Sequence, residues 1–215
     1  MHAWAEMFSR FLSARGVLEP YTDADYFAHV DGRPRYDGVR DFLSSRGIAL
    51  AEGEDHDPGD QAPGAETVRG LGNRKNDLVL SLLRREGVAP YPGTVAYLDS
   101  LPGDARLAIV SSSRNAEEVL RAAGLFDRFE HIVDGNLASH EGLPGKPAPD
   151  TYLHGARLLG VDPAATVVYE DAVSGVQSGA AGNFGAVIGV DRGVGAAQLA
   201  AAGATHVVAD LEEIA

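Results

Sequence analysis

Residues 166–179, TVVYEDAVSGVQSG, run from an apolar, β-favouring stretch through two adjacent carboxylates, Glu170 and Asp171, into small residues suited to a helix. The spacing predicts a buried strand at 166–169 and a helix at 173–181. The same unit recurs on both sides. Apolar runs at 106–110, 131–134, 186–190 and 206–209 read as further strands, and the stretches near 116–123, 150–159 and 196–202 read as helices. Strand and helix in strict alternation imply an α/β fold with a parallel sheet covered on both faces.

Upstream of Tyr91-Pro92-Gly93 the pattern is different. Trp4, Met7, Phe8 and Phe11 recur at helical spacing. Residues 37–46 carry Val39, Phe42 and Leu43 before Gly47, and residues 73–86 carry Leu78, Leu82 and Leu83 before Gly87, a C-terminal helix signal. No convincing strand occurs there. The expected division is a helical domain over 1–86 and an α/β domain over 87–215. Between them in character lies 51–66, AEGEDHDPGDQAPGAE, too rich in Gly, Pro and acids to bury much apolar surface, and expected to be a mobile surface loop.

A chain of 215 residues that is 45% hydrophobic can bury a real core. Its formal charge of −13 argues against nucleic acid, which is held by clustered Lys and Arg. A small anionic substrate needs only a local concentration of positive charge and backbone N–H groups. The absence of cysteine removes disulfides, thiolate metal sites and a cysteine nucleophile, and fits a reducing cytoplasm. No stretch reaches the roughly 18 apolar residues of a membrane span, so the expectation is a cytoplasmic protein with no membrane partner.

Ligands of open parallel sheets collect at the carboxyl ends of the strands. Three such junctions carry chemistry. LAIVSSSRN, 107–115, ends a strand in three hydroxyls and a helix start, an anion cradle or an ordinary N-cap. GLPGKPAPD, 142–150, holds Lys146 between prolines that stiffen its loop, either to offset phosphate charge or as a solvated lysine before a helix. At the third junction, Glu170 and Asp171 repel one another unless a hard cation such as Mg²⁺ takes one carboxylate directly and another through water; otherwise Asp171 caps the next helix. Hydroxyl, lysine and acid pair together supply what phosphoryl transfer requires, apart from a nucleophile.

SSSRN, GKPAPD and EDAVSG in this order resemble the haloacid dehalogenase superfamily, in its β-phosphoglucomutase-like branch, over nearly the whole chain. The resemblance implies a Rossmann-like, doubly wound parallel core with a helical cap. It implies that Ser111 binds the transferring phosphoryl group, that Lys146 balances its charge, and that Glu170 and Asp171 hold Mg²⁺. Ser113 and Asn115 match positions that assist phosphate or sugar binding. DGRPRYDG and NRKND look like the family's substrate-gating elements, which gives Arg35 and Lys75 the distal phosphate of a small sugar phosphate.

The family also begins with an apolar strand ending in Asp-x-Asp-Gly, whose first Asp attacks phosphorus and whose second acts as acid and base. That motif is expected to fall before Met1. Asp23-Ala24-Asp25 follows no buried strand, and Asp55-His56-Asp57 sits in the acidic loop. In the family the strand is central, and five buried apolar residues at ~1.5–3 kcal/mol each are worth roughly 8–15 kcal/mol, comparable to the stability of an ordinary domain. The first core strand is therefore expected to be missing from the sheet. Phosphoryl transfer on a sugar phosphate, by a mutase or a phosphatase acting through an aspartyl phosphate, is the leading expectation. A non-catalytic sugar-phosphate binder and an α/β interaction domain are the alternatives. Oligomeric state is not legible.

Overall fold

Ala3, Trp4, Met7, Phe8, Phe11 and Leu12 fall on one side of helix α1 (His2–Ala14), and all six are buried. In the computed structural model, which describes residues 1–215, Trp4, Met7, Phe8, Phe11 and Leu12 pack in one cluster with Val39, Phe42 and Leu43 of α3 (Arg35–Ser45) and Leu71 of α4 (Val68–Glu86). Phe8, Phe11 and Phe42 are completely enclosed, and burying a side chain of this kind stabilises by about 1.5–3 kcal/mol. Between α1 and α3 lie the short α2 (Asp23–Asp25) and a π-helical turn, Tyr26–Val30. These elements form one compact unit, Met1–Gly87, and contain no strand; the second unit is Val88–Ala215.

Within the first unit the acidic loop is tied down. Asn73 donates to the carbonyls of Asp55 (3.0 Å) and Asp57 (2.8 Å), and Arg74 donates to those of Gly59 and Gln61. Glu66, 5% exposed, accepts from Gly64 N–H (2.6 Å) and from Arg15 (3.1 Å). The segment is a surface loop that buries little apolar surface, as expected, and its carbonyls are in addition satisfied by side chains of α4, which composition alone does not reveal. The two acid pairs dismissed as nucleophiles have structural partners. Asp25 closes a capping box with Thr22 and pairs with Arg46 at 2.8 Å. Asp57 accepts from Thr67 at 2.6 Å, and Asp55 pairs with Arg69.

The second unit alternates as follows: α5 (Pro92–Ser100), β1 (Ala108–Val110), α6 (Ala116–Ala122), β2 (His131–Val133), α7 (Gly135–His140), α8 (Asp150–Leu159), β3 (Val167–Glu170), α9 (Val173–Ala181), β4 (Ala186–Val190), α10 (Ala196–Ala201) and β5 (His206–Val208). Every pairing is parallel. Ala108 lies opposite His131, Val167 opposite Ala186, and Ile188 opposite His206. Gly155 lets α8 lie close on β1, since a Cβ there would stand 3.1 Å from Val110 Cγ2. The sequence pattern did not show α5 or α7.

The strands form two sheets. One is β1–β2 and the other β3–β4–β5, so β1 and β3 each present an unpaired edge. A cavity of about 510 Å³ lies between those edges, lined by Ala108, Val110, Val167, Tyr169, Tyr152 and Leu159 among others. Along β3 exposure alternates between the two faces of the strand: Val167 is 43% and Tyr169 37% exposed, whereas Val168 between them is 4% exposed. Both edges face this largely apolar slot with their N–H and C=O groups unpaired by other strands.

Candidate active site at the strand ends

The carboxyl ends of β1 and β3 meet at one buried ion pair. Glu170 is the last residue of β3 and only 8% exposed, and Lys146, on the loop before α8, is 7% exposed. Lys146 Nζ donates to Glu170 Oε1, to the Tyr152 hydroxyl (3.1 Å) and to the carbonyl of Val110 (3.4 Å), the last residue of β1. Tyr152 donates to the same Glu170 Oε1 at 3.0 Å. The backbone N–H groups of Asp171 (2.8 Å) and Ala172 (2.9 Å) donate to Oε2. Glu170 thus accepts four hydrogen bonds, about the capacity of a carboxylate.

Burial pushes the Glu170 carboxyl up, but the adjacent Lys146 charge, the hydrogen bonds from Lys146 and Ala172 N–H, and the Tyr152 hydroxyl together hold it below the ordinary range. Burial, then the Glu170 charge, push the Tyr152 phenol well above its usual value, so it is a neutral donor at any physiological pH. Gly175, in the first turn of α9, makes room for this carboxylate: a Cβ there would collide with Glu170 Oε1 and Cδ.

Ser111 follows Val110 directly and continues the β1 ladder, its N–H donating to Val133 O at 2.9 Å. Its hydroxyl accepts from Ser113 N–H (3.1 Å), and the Ser113 hydroxyl accepts from Asn115 N–H (3.1 Å). Asn115 is buried. The loop is braced from α7, where Asn136 donates to Arg114 O at 2.8 Å and Asp134 caps the helix through Asn136 N–H and Leu137 N–H. Ser111, Lys146, Glu170 and Asp171 therefore gather around the end of β1 and β3.

Arg35 and Lys75 belong to the first unit and lie near one another there. Arg35 donates to Asn76 at 2.6 Å, and Lys75 Nζ stands 4.9 Å from the Trp4 ring centroid. Burial, reinforced by the Arg35 charge, pushes the Lys75 ammonium down to about 8. No cluster of three or more His, Asp or Glu forms a ready metal cage. The donor set that suits a hard cation is the all-oxygen Glu170–Asp171 pair, with Glu170 already saturated by protein donors.

Sequence reasoning missed Tyr152 and Gly175. The available signal for Tyr152 was a tyrosine on the buried side of the helix directly after GKPAPD, where its hydroxyl demands a partner.

The second unit is thus a parallel α/β domain with lysine, hydroxyl and acid pair gathered at its strand ends, the class of a haloacid dehalogenase-like hydrolase. The family model of haloacid dehalogenase-like hydrolases matches residues 2–183, and the chain belongs to that family. A β-phosphoglucomutase of Mycobacterium bovis is 47% identical over 223 residues, covering 99% of this chain and 83% of that protein. The fructose-1-phosphate phosphatase YqaB of Escherichia coli is 35% identical over 119 residues, 54% of this chain and 60% of that one. Among solved structures, a β-phosphoglucomutase from Clostridium difficile superposes with a TM-score of 0.78 at 20% identity, covering 100% of this chain and 86% of that one, a likeness of fold. No helix is long and apolar enough to cross a membrane.

Proposed function

We propose that this chain carries out Mg²⁺-assisted phosphoryl transfer on a small sugar phosphate, as part of a mutase or phosphatase of β-phosphoglucomutase type. The observation that carries the reading is the Lys146 ammonium, locked against Glu170 beside the Val110–Ser111 junction. A buried, charge-balanced lysine next to serine hydroxyls and helix N–H groups suits the equatorial oxygens of a transferring phosphoryl group. The relatives named β-phosphoglucomutase and fructose-1-phosphate phosphatase support the substrate class.

In this reading Ser111 hydrogen-bonds a phosphoryl oxygen and Lys146 offsets its charge. Ser113 and Asn115 hold the loop and the sugar, and Arg35 with Lys75 take the distal phosphate. Asp171 would hold Mg²⁺, with the Glu170 charge close by while its oxygens stay on Lys146, Tyr152 and two backbone N–H groups; when bound, the ion would neutralise charge on the phosphoryl group and its acceptor. The reaction takes a nucleophilic carboxylate, and an apolar strand ending in Asp-x-Asp-Gly would present one at the carboxyl ends of β1 and β3 if it paired in the slot between them. The first Asp oxygen bonds to phosphorus as the sugar oxygen leaves, and the second Asp returns the proton to that oxygen.

The test is isomerisation of β-glucose 1-phosphate, or phosphate release from it, in Mg²⁺. It compares the 215-residue chain with the same chain joined to an apolar strand ending in Asp-x-Asp-Gly. Turnover only in the joined form supports the reading. Full turnover by the chain alone would refute the slot assignment, and full activity in Asp171→Ala would refute the metal assignment.

A further inference from the structure

An ammonium group has three N–H donors at fixed tetrahedral angles. In Lys146 one is committed to Glu170 Oε1 and a second to the Tyr152 hydroxyl at 3.1 Å, while the third meets only the distant Val110 carbonyl at 3.4 Å. Two short bonds fix the rotation of the ammonium about its last carbon–nitrogen bond. The direction of the third N–H follows, and it points toward the end of β1, where Ser111 begins the phosphate-suited loop.

The Tyr152 hydroxyl is itself held in place. It donates to Glu170 (3.0 Å), its ring lies 4.7 Å from Lys146 Nζ, and the ring packs edge-on against Phe184 at a centroid distance of 6.0 Å. The side chain is 8% exposed and also lines the slot between β1 and β3. A buried hydroxyl that bridges both members of an ion pair removes a freedom that the pair alone would keep.

Building on the phosphoryl-transfer reading, we propose that Tyr152 is a positioning residue: it orients the Lys146 ammonium so that one N–H is reserved for the transferring phosphoryl group. It touches neither substrate nor metal. Its effect falls on the transition state, where alignment counts, and little on ground-state binding of the sugar phosphate.

The variant is Tyr152→Phe, which keeps the ring and its packing and removes only the oxygen. In the strand-joined, active form, kcat on β-glucose 1-phosphate falls on the order of tenfold, with KM changed by less than about twofold and the melting temperature lowered by only a few degrees. A second readout needs no turnover. In nitrogen-15 spectra of the 215-residue chain, a buried, doubly anchored lysine ammonium gives a sharp, slowly exchanging signal, assigned by its loss in Lys146→Met, and Tyr152→Phe broadens it. An unchanged kcat, a loss confined to KM, or an unchanged ammonium signal overturns the proposal. If Lys146→Met leaves turnover intact, the phosphoryl-transfer reading itself fails. If Lys146→Met abolishes turnover while Tyr152→Phe does nothing, only the positioning role is lost.

Discussion

At the scale of single residues, two buried charges behave in opposite ways. Glu170 is buried with its counter-charge and four donors, so its ionised form is favoured in the fold. Removing the carboxylate in Glu170→Ala leaves the Lys146 ammonium enclosed without its partner, and such a broken pair costs about 3–5 kcal/mol. Urea unfolding at neutral pH is expected to show a loss of that size. Because its carboxyl lies below the ordinary carboxylate value in the folded chain, its stabilisation is fully present above that ordinary value. It is lost as pH falls through the folded one.

Lys75 has no such partner and is pushed down to about 8. Between that value and the ordinary lysine value of about 10.4, the unfolded chain binds more protons than the folded one, so this residue makes stability rise with pH in that window. Below about 8 both states are protonated and the full cost of burying the charge is present. Lys75→Met removes this dependence. The difference in melting temperature, variant minus parent, is expected to shrink as pH goes from 8 to 10.5, followed by calorimetry; a flat difference would count against the burial of this charge.

At the scale of elements, the first turn of α9 is shaped around the end of β3. Gly175 is needed because its Cα faces a Glu170 carboxylate that four donors prevent from moving aside. Gly175→Ala is expected to displace Glu170 and Lys146 together. The measurement is unfolding stability alongside turnover of the strand-joined form, with both reduced and turnover by at least tenfold. Helix α4 offers a smaller case. The Thr67 hydroxyl accepts from Gly70 N–H (2.9 Å) and donates to Asp57 in the acidic loop (2.6 Å). Thr67→Ala is expected to lose ~1 kcal/mol for the cap, with faster proteolysis within residues 51–66 as the loop is released.

The order and type of the elements were legible because each follows from local periodicity. The apolar runs at 131–134 and 186–190 became β2 and β4, and the Gly87 stop ended α4. Helix α5 was not legible. Its apolar residues do not make a strong stripe, and it is held by Pro92 in its first turn and by contact with residues Leu211–Ile214.

At the scale of the whole molecule, the slot between β1 and β3 leaves one edge of each strand without a partner strand. Strand edges without partners exchange their amide hydrogens readily, whereas β4, paired on both sides, is protected. Hydrogen exchange on the 215-residue chain is therefore expected to be slowest in β4 and fast along the slot-facing amides of β1 and β3. Joining an apolar strand is expected to slow β1 and β3 and to raise the melting temperature by well over 10 °C, given the several kcal/mol that five buried residues supply. Equal protection of all five strands before joining would show that the slot is closed by other means.

The sequence by itself determined the alternation of strand and helix, the parallel α/β class, and the presence of hydroxyl, lysine and acid pair at strand ends, because each depends on neighbours a few residues apart. Only the tertiary structure decided that Lys146 lies on Glu170 rather than in solvent, that Tyr152 bridges them, that α4 pins the acidic loop, and that the sheet divides between β1 and β3. Those contacts join residues separated by 6 to 24 positions, and which of them meet is set by strand order and burial, quantities that no local pattern of side chains encodes.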